Sequence, residues 1–309
     1  MPKKGKIKKS EAVNRIFYIE REKMMDDPLV QNWVEELIVN DQVKFIDYLT
    51  DKIFDLSLPK EKINSYYHCI KLLIIIDEDD AVDQLSSNED LQDRLIAYIK
   101  SCDKDEICQD VLFILSSIFV VDDKMKSLFT LDFLTTLFDL LNIIEDDLNF
   151  KSAVKILIEI NTLYDSIDTN LFLKVYHIHP NARVFNEIII RLINIEDTKP
   201  KLIKMFLCLS NIFDKEKDNI LYSTDIETFI DIVLVKLQSF YTEEVKAFII
   251  DVVEKVLLYP EYYKNSYKLE EIEDLFEDFA SNDTQGEAIR TKAKKVLENI
   301  KNNLSEESV

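Results

Sequence analysis

The stretch YTEEVKAFIIDVVEKVL, residues 241–257, carries the pattern that decides the fold. Its polar opening is followed by apolar side chains three and four residues apart, a spacing that places them on one side of an α-helix. This apolar stripe comprises Val245, Phe248, Ile249, Val252, Val253 and Val256. A stripe of this width predicts a helix that packs between neighbours on two sides.

Stretches of the same character return about every 44 residues along the chain. They are Pro59–Ile76, Asp103–Phe119, Asp146–Tyr164, Asp197–Phe213, Tyr241–Leu257 and Thr284–Ile300, and the helices predicted before them are Val43–Phe54, Asp90–Lys100, Leu131–Leu141, Ala182–Asn194, Asp225–Gln238 and Leu269–Phe279. A period of about 40–47 residues that holds two or three helices is typical of HEAT and armadillo repeats. The sequence therefore predicts an all-α fold, an armadillo/HEAT-like α-solenoid whose stacked repeats offer a long binding surface.

One continuous helical domain is predicted over residues 11–303, because no linker rich in Pro, Gly or Ser interrupts the repeats. A flexible basic tail is predicted at residues 1–10 and a second flexible tail at residues 304–309. The lysines of the basic tail are Lys3, Lys4, Lys6, Lys8 and Lys9. The N-terminus lacks the apolar core of a signal peptide, and no apolar stretch reaches the roughly 20 residues that span a bilayer. A cytoplasmic protein without membrane insertion is therefore expected.

Glycine is nearly absent, since Gly5 and Gly286 are the only two in 309 residues. Phosphate-cradling loops and dinucleotide-binding turns need clustered glycines, and the calcium loop of an EF-hand needs a central one. The formal net charge of −21 opposes nucleic-acid binding and is compatible with basic partners. No cofactor and no nucleic-acid partner is therefore expected.

Residues that could bind a metal or act as nucleophiles lack the spacing of a recognisable site. The cysteines form no CxxC pair and are predicted to be reduced thiols in the core. They are Cys69, Cys102, Cys108 and Cys208. His177 and His179 form an HxH pair that ends a predicted helix, where the two side chains diverge, and the acidic clusters Asp77–Asp80, Asp122–Asp123 and Glu145–Asp147 are predicted to be solvated inter-helix turns. No catalytic residue and no metal site are predicted, and an enzyme is not expected.

Capping residues mark the predicted helix starts. Thr224–Glu227 and Thr284–Glu287 both fit the capping box, in which a threonine oxygen accepts from a backbone N–H and a glutamate reaches back. Pro59, Pro180 and Pro200 lie at or just before predicted helix starts, where the missing N–H costs nothing.

The stretch NILYSTDIETFIDIVL, residues 219–234, resembles the signature of a known family. It is similar to the SPIN-ninety/Dip/Ldb leucine-rich-domain family, in which an aromatic-Tyr-Thr-x-Asp-Leu turn leads into a Val-Leu-Ile-Asp-Ile helix. The matching positions are Tyr222, Thr224, Asp225, Ile226, Ile230, Asp231 and Ile232. The likeness covers about residues 181–280, with Val235-Lys236-Leu237 in place of the family's Arg-Glu-Leu.

This resemblance implies a minimal, armadillo-like member of the family. Such proteins bind the actin-related protein 2/3 complex and activate it to nucleate linear, unbranched actin filaments without a preformed mother filament. They act on actin filaments indirectly, at the actin cortex or endocytic actin patches. The resemblance identifies no partner-contacting residue. Among the motif positions Tyr222, Thr224, Asp225 and Asp231, we expect mostly structural roles: Thr224 as a helix cap, Asp225 as a first-turn acid and Tyr222 at a repeat junction.

The alternative is a generic acidic armadillo-like scaffold with no actin role, such as an adaptor, a receptor for basic peptides or a regulatory subunit of a kinase or phosphatase. Importin-type receptors use repeated Trp-Asn pairs on successive helices, whereas this chain has a single tryptophan, Trp33, preceded by Asn32. The ladder of an importin-type groove is therefore absent, and the regulatory subunit stays open.

Overall fold

The computed structural model describes residues 45–55, 57–76, 78–88, 90–101, 106–120, 123–141, 147–215, 221–239, 241–259, 262 and 265–306. All regular secondary structure in these ranges is helical, which confirms the all-α prediction. The predicted basic tail at residues 1–10, together with Asn32 and Trp33, lies outside the described residues. In the described part of the chain, every helix is too short or too polar to cross a lipid bilayer.

The helices follow the predicted repeat. They are α1 Lys60–Ile76, α2 Glu78–Ser86, α3 Leu91–Ser101, α4 Glu106–Ile118, α5 Leu131–Leu140, α6 Asp147–Asn161, α7 Leu171–Tyr176, α8 Ala182–Ile195, α9 Lys199–Lys215, α10 Ser223–Gln238, α11 Glu243–Leu257, α12 Leu269–Ser281 and α13 Glu287–Glu306. Residues 45–53 are also helical, and Asp123–Leu128 forms a 3₁₀ turn. The recurring stretches correspond to α1, α4, α6, α9, α11 and α13. The last of these extends three residues into the predicted C-terminal tail at 304–309.

The chain forms two compact units, unit 1 with Met1–Val120 and Ile143–Ala153, and unit 2 with Val121–Asn142 and Val154–Val309. Within unit 1, α1 packs against α2 and α4, and α3 packs against α4. Within unit 2, three helices pack against their counterparts in the next repeat: α8 against α10, α9 against α11, and α11 against α13. This packing defines an armadillo/HEAT-like solenoid fold, while a single continuous domain remains a prediction.

The apolar stripe of α11 is buried as its spacing predicts. Val245, Ile249, Val252, Val253 and Val256 are each at most 1% exposed, and Phe248 is half-buried. Burying an aliphatic side chain of this size stabilises a fold by about 1.5–3 kcal/mol relative to leaving it exposed. The stripe thereby packs α11 against the helices that contact it, which include α9 and α13.

Polar contacts between neighbouring repeats recur with nearly the same period. They join Lys204 to Glu159, Lys255 to Ser210 and Asn299 to Glu254, each pair 45 residues apart in sequence. The repeat is thus expressed in side-chain pairing as well as in helix packing.

The helices α2 and α7 are not among the predicted elements. Glu78, Asp79 and Asp80 form the first turn of α2, so the prediction that they lie in an inter-helix turn is wrong. Carboxylates are favourable there because the N-terminal end of a helix carries partial positive charge. The helix buries only Ala81 and Leu85, a periodic signal too weak to be recognised in the sequence.

The capping box predicted at Thr284–Glu287 is wrong. Helix α13 begins at Glu287, and the Thr284 hydroxyl donates to Asn282 Oδ1 at 2.7 Å instead of capping it. Gly286 precedes the helix at a point of close approach, because a Cβ there would lie 2.0 Å from an oxygen of the Glu243 carboxylate. The turn is therefore organised by the asparagine, while the carboxylate at the end of the flexible Glu243 side chain can move aside for a Cβ at position 286.

The cysteine prediction is confirmed at two positions and wrong at one. Cys69 and Cys208 are free, fully buried thiols, and burial raises their pKa well above the ordinary value. Cys108 is disulfide-bonded. Cys102 lies outside the described residues.

Candidate partner-binding surface

The motif positions lie on α10 or directly before it. Tyr222 precedes the helix with an extended backbone (φ −73°, ψ 157°), and Ser223 begins it. Thr224 is therefore inside the first turn, and the prediction that it caps the helix is wrong. The Asp225 carboxylate instead accepts from the Tyr222 backbone N–H at 3.2 Å. Asp225 thus lies in the first turn as expected, and it reaches back to the backbone N–H of the residue before the helix, the role that the predicted capping box gives to Glu227.

The Asp225 carboxyl lies among both positive and negative side chains of α8. Burial raises its pKa above the ordinary value of 3.8. The hydrogen bond from Tyr222 opposes this rise, the charge of Glu187 adds to it, and the guanidinium groups of Arg183 and Arg191 oppose it. The surface where α8 meets α10 therefore alternates in charge and has no uniformly acidic or basic character.

Tyr222 reaches back to the preceding repeat. Arg183 Nη1 on α8 donates to Tyr222 Oη at 2.5 Å, and the guanidinium carbon lies 4.5 Å from the centre of the tyrosine ring. The tyrosine is nevertheless 55% exposed. The expected position at a repeat junction is observed, with half of the side chain open to solvent.

Asp231 fixes the turn that leads into α12. Its carboxylate accepts from Tyr267 Oη at 3.2 Å and lies 3.1 Å from Lys268 Nζ, and the hydrogen bond to Asp231 is the main cause of a raised Lys268 pKa. Ser266 and Lys268 have φ values of 45° and 53°. This left-handed backbone is unfavourable for residues with a side chain, so contacts around the turn must hold it.

A shared arrangement connects these junctions. A residue one to three positions before each of α8, α10 and α12 contacts the preceding helix of the same row, through the pairs His179–Asp139, Tyr222–Arg183 and Tyr267–Asp231. Their sequence separations are 40, 39 and 36 residues. In the first and third pairs the acceptor is a carboxylate, whereas Tyr222 accepts from a cation.

Two exposed stripes run along α8 and α10, which pack against each other. The stripe on α8 consists of Arg183, Glu187, Arg191 and Ile195, and the stripe on α10 consists of Thr224, Thr228, Asp231 and Val235. We call these eight residues, together with Tyr222, the α8–α10 surface. Ile195 is 64% and Val235 is 67% exposed, so each stripe ends in an aliphatic side chain that is open to solvent.

Lys236, at one of the departures from the family signature, is buried and hydrogen-bonded. It is 5% exposed, and its ammonium group donates to the Glu196 carbonyl oxygen at 2.9 Å and to Tyr241 Oη at 3.3 Å. It thereby caps the C-terminal end of α8 and connects it to the start of α11. The lysine is a structural residue beneath the α8–α10 surface.

The HxH pair is divided between two environments, as predicted from its position after a helix. His177 follows the last residue of α7. The ring of His179 has two partners: the Asn181 backbone N–H donates to Nδ1 at 3.2 Å, and Asp139 lies 3.2 Å from Nε2. These partners assign the proton of the neutral ring to Nε2. No cluster that could hold a metal ion occurs among the described residues.

A polar cleft of about 430 Å³ lies in unit 1, lined by the carboxylates of Asp47, Asp51 and Asp90 with neighbouring amides and hydroxyls. Gln84 Nε2 donates to Asp47 Oδ1 at 2.7 Å across it. The cleft contains neither a histidine nor a cysteine. Its residues provide hydrogen-bond acceptors that are open to solvent, and their arrangement indicates no particular catalytic reaction.

The sequence did not identify Arg183, Tyr267 or Lys268 as members of these junctions. The repeat length could have indicated these contacts, because Arg183, Tyr267 and Lys268 each lie slightly less than one repeat away from the motif residue that they contact. A search for charge-compatible residues at separations of about 36–45 would have found them.

The helical pairs, their repeat-spaced contacts and the exposed surfaces define an armadillo/HEAT-like repeat protein. A designed armadillo repeat protein is 14% identical, with 82% of this chain and 99% of the other covered and a TM-score of 0.39. The archaeal HEAT-like repeats protein from Thermococcus onnurineus is 16% identical, with coverages of 96% and 98% and a TM-score of 0.37. Similarities of this size carry no argument about function. No curated protein matches the chain.

Residues 146–272 match the family model described as "SPIN90/Ldb17, leucine-rich domain". The match contains α8, α9, α10 and α11 and all of the motif positions. It confirms the resemblance that residues 219–234 indicate. The match begins at residue 146, whereas the likeness seen in the sequence begins at about residue 181. The α8–α10 surface therefore lies entirely within the matched domain.

Proposed function

We propose that this protein activates the actin-related protein 2/3 complex, so that the complex nucleates linear, unbranched actin filaments without a preformed mother filament. The observation that carries the proposal is the match of residues 146–272 to the SPIN90/Ldb17 leucine-rich domain. The fold adds packed helices with exposed surfaces, which suit a protein-binding role rather than catalysis.

The mechanism is a shift of population in the partner. An activator that binds more tightly to the filament-like arrangement of the two actin-related subunits moves the complex toward that arrangement by its difference in affinity. A helical repeat domain with a closely packed core keeps its shape while the partner rearranges. No cofactor and no chemical step of this chain is required. The protein would act in the cytoplasm, at the actin cortex or endocytic actin patches.

The α8–α10 surface is the region in which we expect contact with the complex. It combines an exposed tyrosine and arginines, residue types that dominate binding energies at interfaces, with the exposed aliphatic side chains Ile195 and Val235.

Binding and bulk polymerisation test the proposal together. Purified complex and fluorescent actin monomers are mixed with the protein, without the VCA peptide of other activators and without seed filaments. Faster assembly, with capture of the complex on the immobilised protein, is the expected result. Absence of both would leave an armadillo-like scaffold with another partner.

A matched pair of variants locates the contact. Val235 in the α8–α10 surface and Val120 in unit 1 are 67% and 68% exposed, so each tolerates Val→Asp without loss of a core contact. Val235→Asp should weaken capture of the complex by about tenfold or more, the equivalent of about 1.4 kcal/mol, and Val120→Asp should not. Equal behaviour of the two variants would exclude the α8–α10 surface.

A further inference from the structure

Tyr222 differs from the other junction residues in what faces its polar atom. Its oxygen accepts from Arg183 Nη1 at 2.5 Å, and the side chain is 55% exposed. One repeat later, the hydroxyl of Tyr267 donates to the Asp231 carboxylate at 3.2 Å. Additional negative charge on the first oxygen would meet a guanidinium group, whereas on the second it would meet a carboxylate.

A phosphate ester is the group that this difference favours. It carries about −1.5 to −2 charges at neutral pH and three strong acceptor oxygens, and an arginine fork binds such oxygens in a bidentate manner. Arg183 is already positioned by the ring of Tyr222, 4.5 Å from its centre, so little reorientation is needed. The other charged groups near this point, Glu187, Arg191 and Asp225, sum to one net negative charge. Arg183 therefore has to provide the main attraction.

We propose that Tyr222 is a phosphorylation site and that Arg183 binds the phosphate it receives. A tyrosine kinase transfers the γ-phosphoryl group of ATP to Tyr222 Oη. The bond between the γ-phosphorus and the bridging oxygen breaks, the Oη–P bond forms, the phenolic proton passes to the base of the kinase, and ADP leaves. The product connects α8 to α10 by charge-assisted hydrogen bonds where the unmodified protein has one hydrogen bond.

The first arm of the test measures access. The full chain is incubated with a purified tyrosine-kinase catalytic domain and Mg-ATP, and the modified peptides are mapped by mass spectrometry. Phosphate should appear at Tyr222 faster than at Tyr267 and not at the buried Tyr176. The Tyr222→Phe variant should lose the phosphate at position 222 and keep any phosphate at Tyr267. Absence of phosphate at Tyr222, or preference for Tyr267, would overturn the proposal.

The second arm measures what the phosphate does, using phosphotyrosine incorporated during synthesis at position 222 or, as a matched control, at position 267. Phosphotyrosine at 222 should raise the midpoint of thermal unfolding by about 2–4 °C, and Arg183→Ala should abolish the rise. At position 267 the midpoint should fall. A rise that survives Arg183→Ala, or a fall at both positions, would overturn the role of Arg183. Neither arm uses the actin-related complex, so failure of the proposed function leaves both results interpretable.

Discussion

Ion pairs connect neighbouring repeats in both units, but the pair in unit 1 is buried and the pairs in unit 2 are partly exposed. Lys71 Nζ lies 2.7 Å from Asp110 Oδ1, and Lys204 Nζ lies 2.7 Å from the Glu159 carboxylate. The lysine side chains are 1% and 39% exposed, respectively. The two ion pairs therefore have the same N–O distance, although one lysine is buried and the other is partly exposed to water. Burial rather than distance decides what the loss of one partner costs.

The pair in unit 1 is part of a larger network. His68 Nδ1 lies 3.0 Å from the second oxygen of Asp110, and the Lys71 ammonium group lies 5.4 Å from the centre of the Phe113 ring. Burial alone would raise the Asp110 pKa, but the hydrogen bond from His68 and the charge and hydrogen bond of Lys71 outweigh it, so the pKa is lowered from 3.8. The network joins α1 to α4.

The largest expected effect follows from removing the carboxylate. Asp110→Ala removes the carboxylate that pairs with the buried Lys71 ammonium group and should lower the free energy of unfolding by about 3–5 kcal/mol. Glu159→Ala, the matched change in unit 2, should cost about 1 kcal/mol or less, because water can solvate Lys204. Urea unfolding of both variants measures the two losses. Similar losses would break the comparison.

Replacing both Lys71 and Asp110 tests the comparison between the buried and the exposed ion pair more sharply. Lys71→Met combined with Asp110→Leu removes the buried charges together and fills the space with apolar atoms, so stability should be close to that of the original protein or above it. The same urea experiment applies. If the double variant were as unstable as Asp110→Ala, the polar contacts of the network, rather than neutralisation of the Lys71 charge, would hold α1 to α4.

The stability of the original protein should depend on pH through Asp110, and the stability of the Lys71→Met and Asp110→Leu double variant should not. Because the folded-state pKa of Asp110 is lowered, its contribution is fully present above about pH 4 and is lost as the pH falls through the folded-state value. The stability difference between the original protein and the double variant should therefore move in favour of the double variant below pH 4. Urea midpoints at pH 6, 4 and 3 measure it. A difference independent of pH would show that Asp110 does not titrate with folding.

The smallest effect is expected from the exposed pair. A double-mutant cycle of Glu159→Ala and Lys204→Ala should give a coupling of about 0.2–1 kcal/mol that decreases at high salt. The coupling is measured from unfolding free energies in low and high sodium chloride. A salt-independent coupling of several kcal/mol would mean that this pair behaves like the buried one.

The sequence predicted the helices because their apolar stripes are long and periodic. The stripe of α11 is buried almost as its spacing indicates, and α8, α9 and α10 lie where they were expected. Short elements escaped prediction: α7 has six residues, and α2 buries only two side chains. Capping was misplaced by two residues at α10, because Thr224 fits the pattern but Tyr222 precedes the helix. A local motif does not determine which residue takes the extended backbone conformation.

The candidate surface was predictable only in part. Tyr222, Thr224 and Asp231 of this surface, and Asp225 beside it, were found from the resemblance, whereas Arg183 depends on a contact across 39 residues. Such contacts need the register between helices, which follows from packing and not from any one helix. The exposure of Ile195 and Val235 was equally hidden, because an apolar residue in a helical pattern is normally assigned to the core.

Imaging of single actin filaments by total internal reflection microscopy tests the central claim most directly. Actin monomers and the purified actin-related protein 2/3 complex are combined with increasing amounts of this protein, in the absence of seed filaments, with the protein or the complex omitted as controls. The account predicts straight filaments without branches, whose number rises with protein concentration only when the complex is present. A filament number equal to that of the complex alone, or new filaments that emerge only as branches from existing ones, would contradict it.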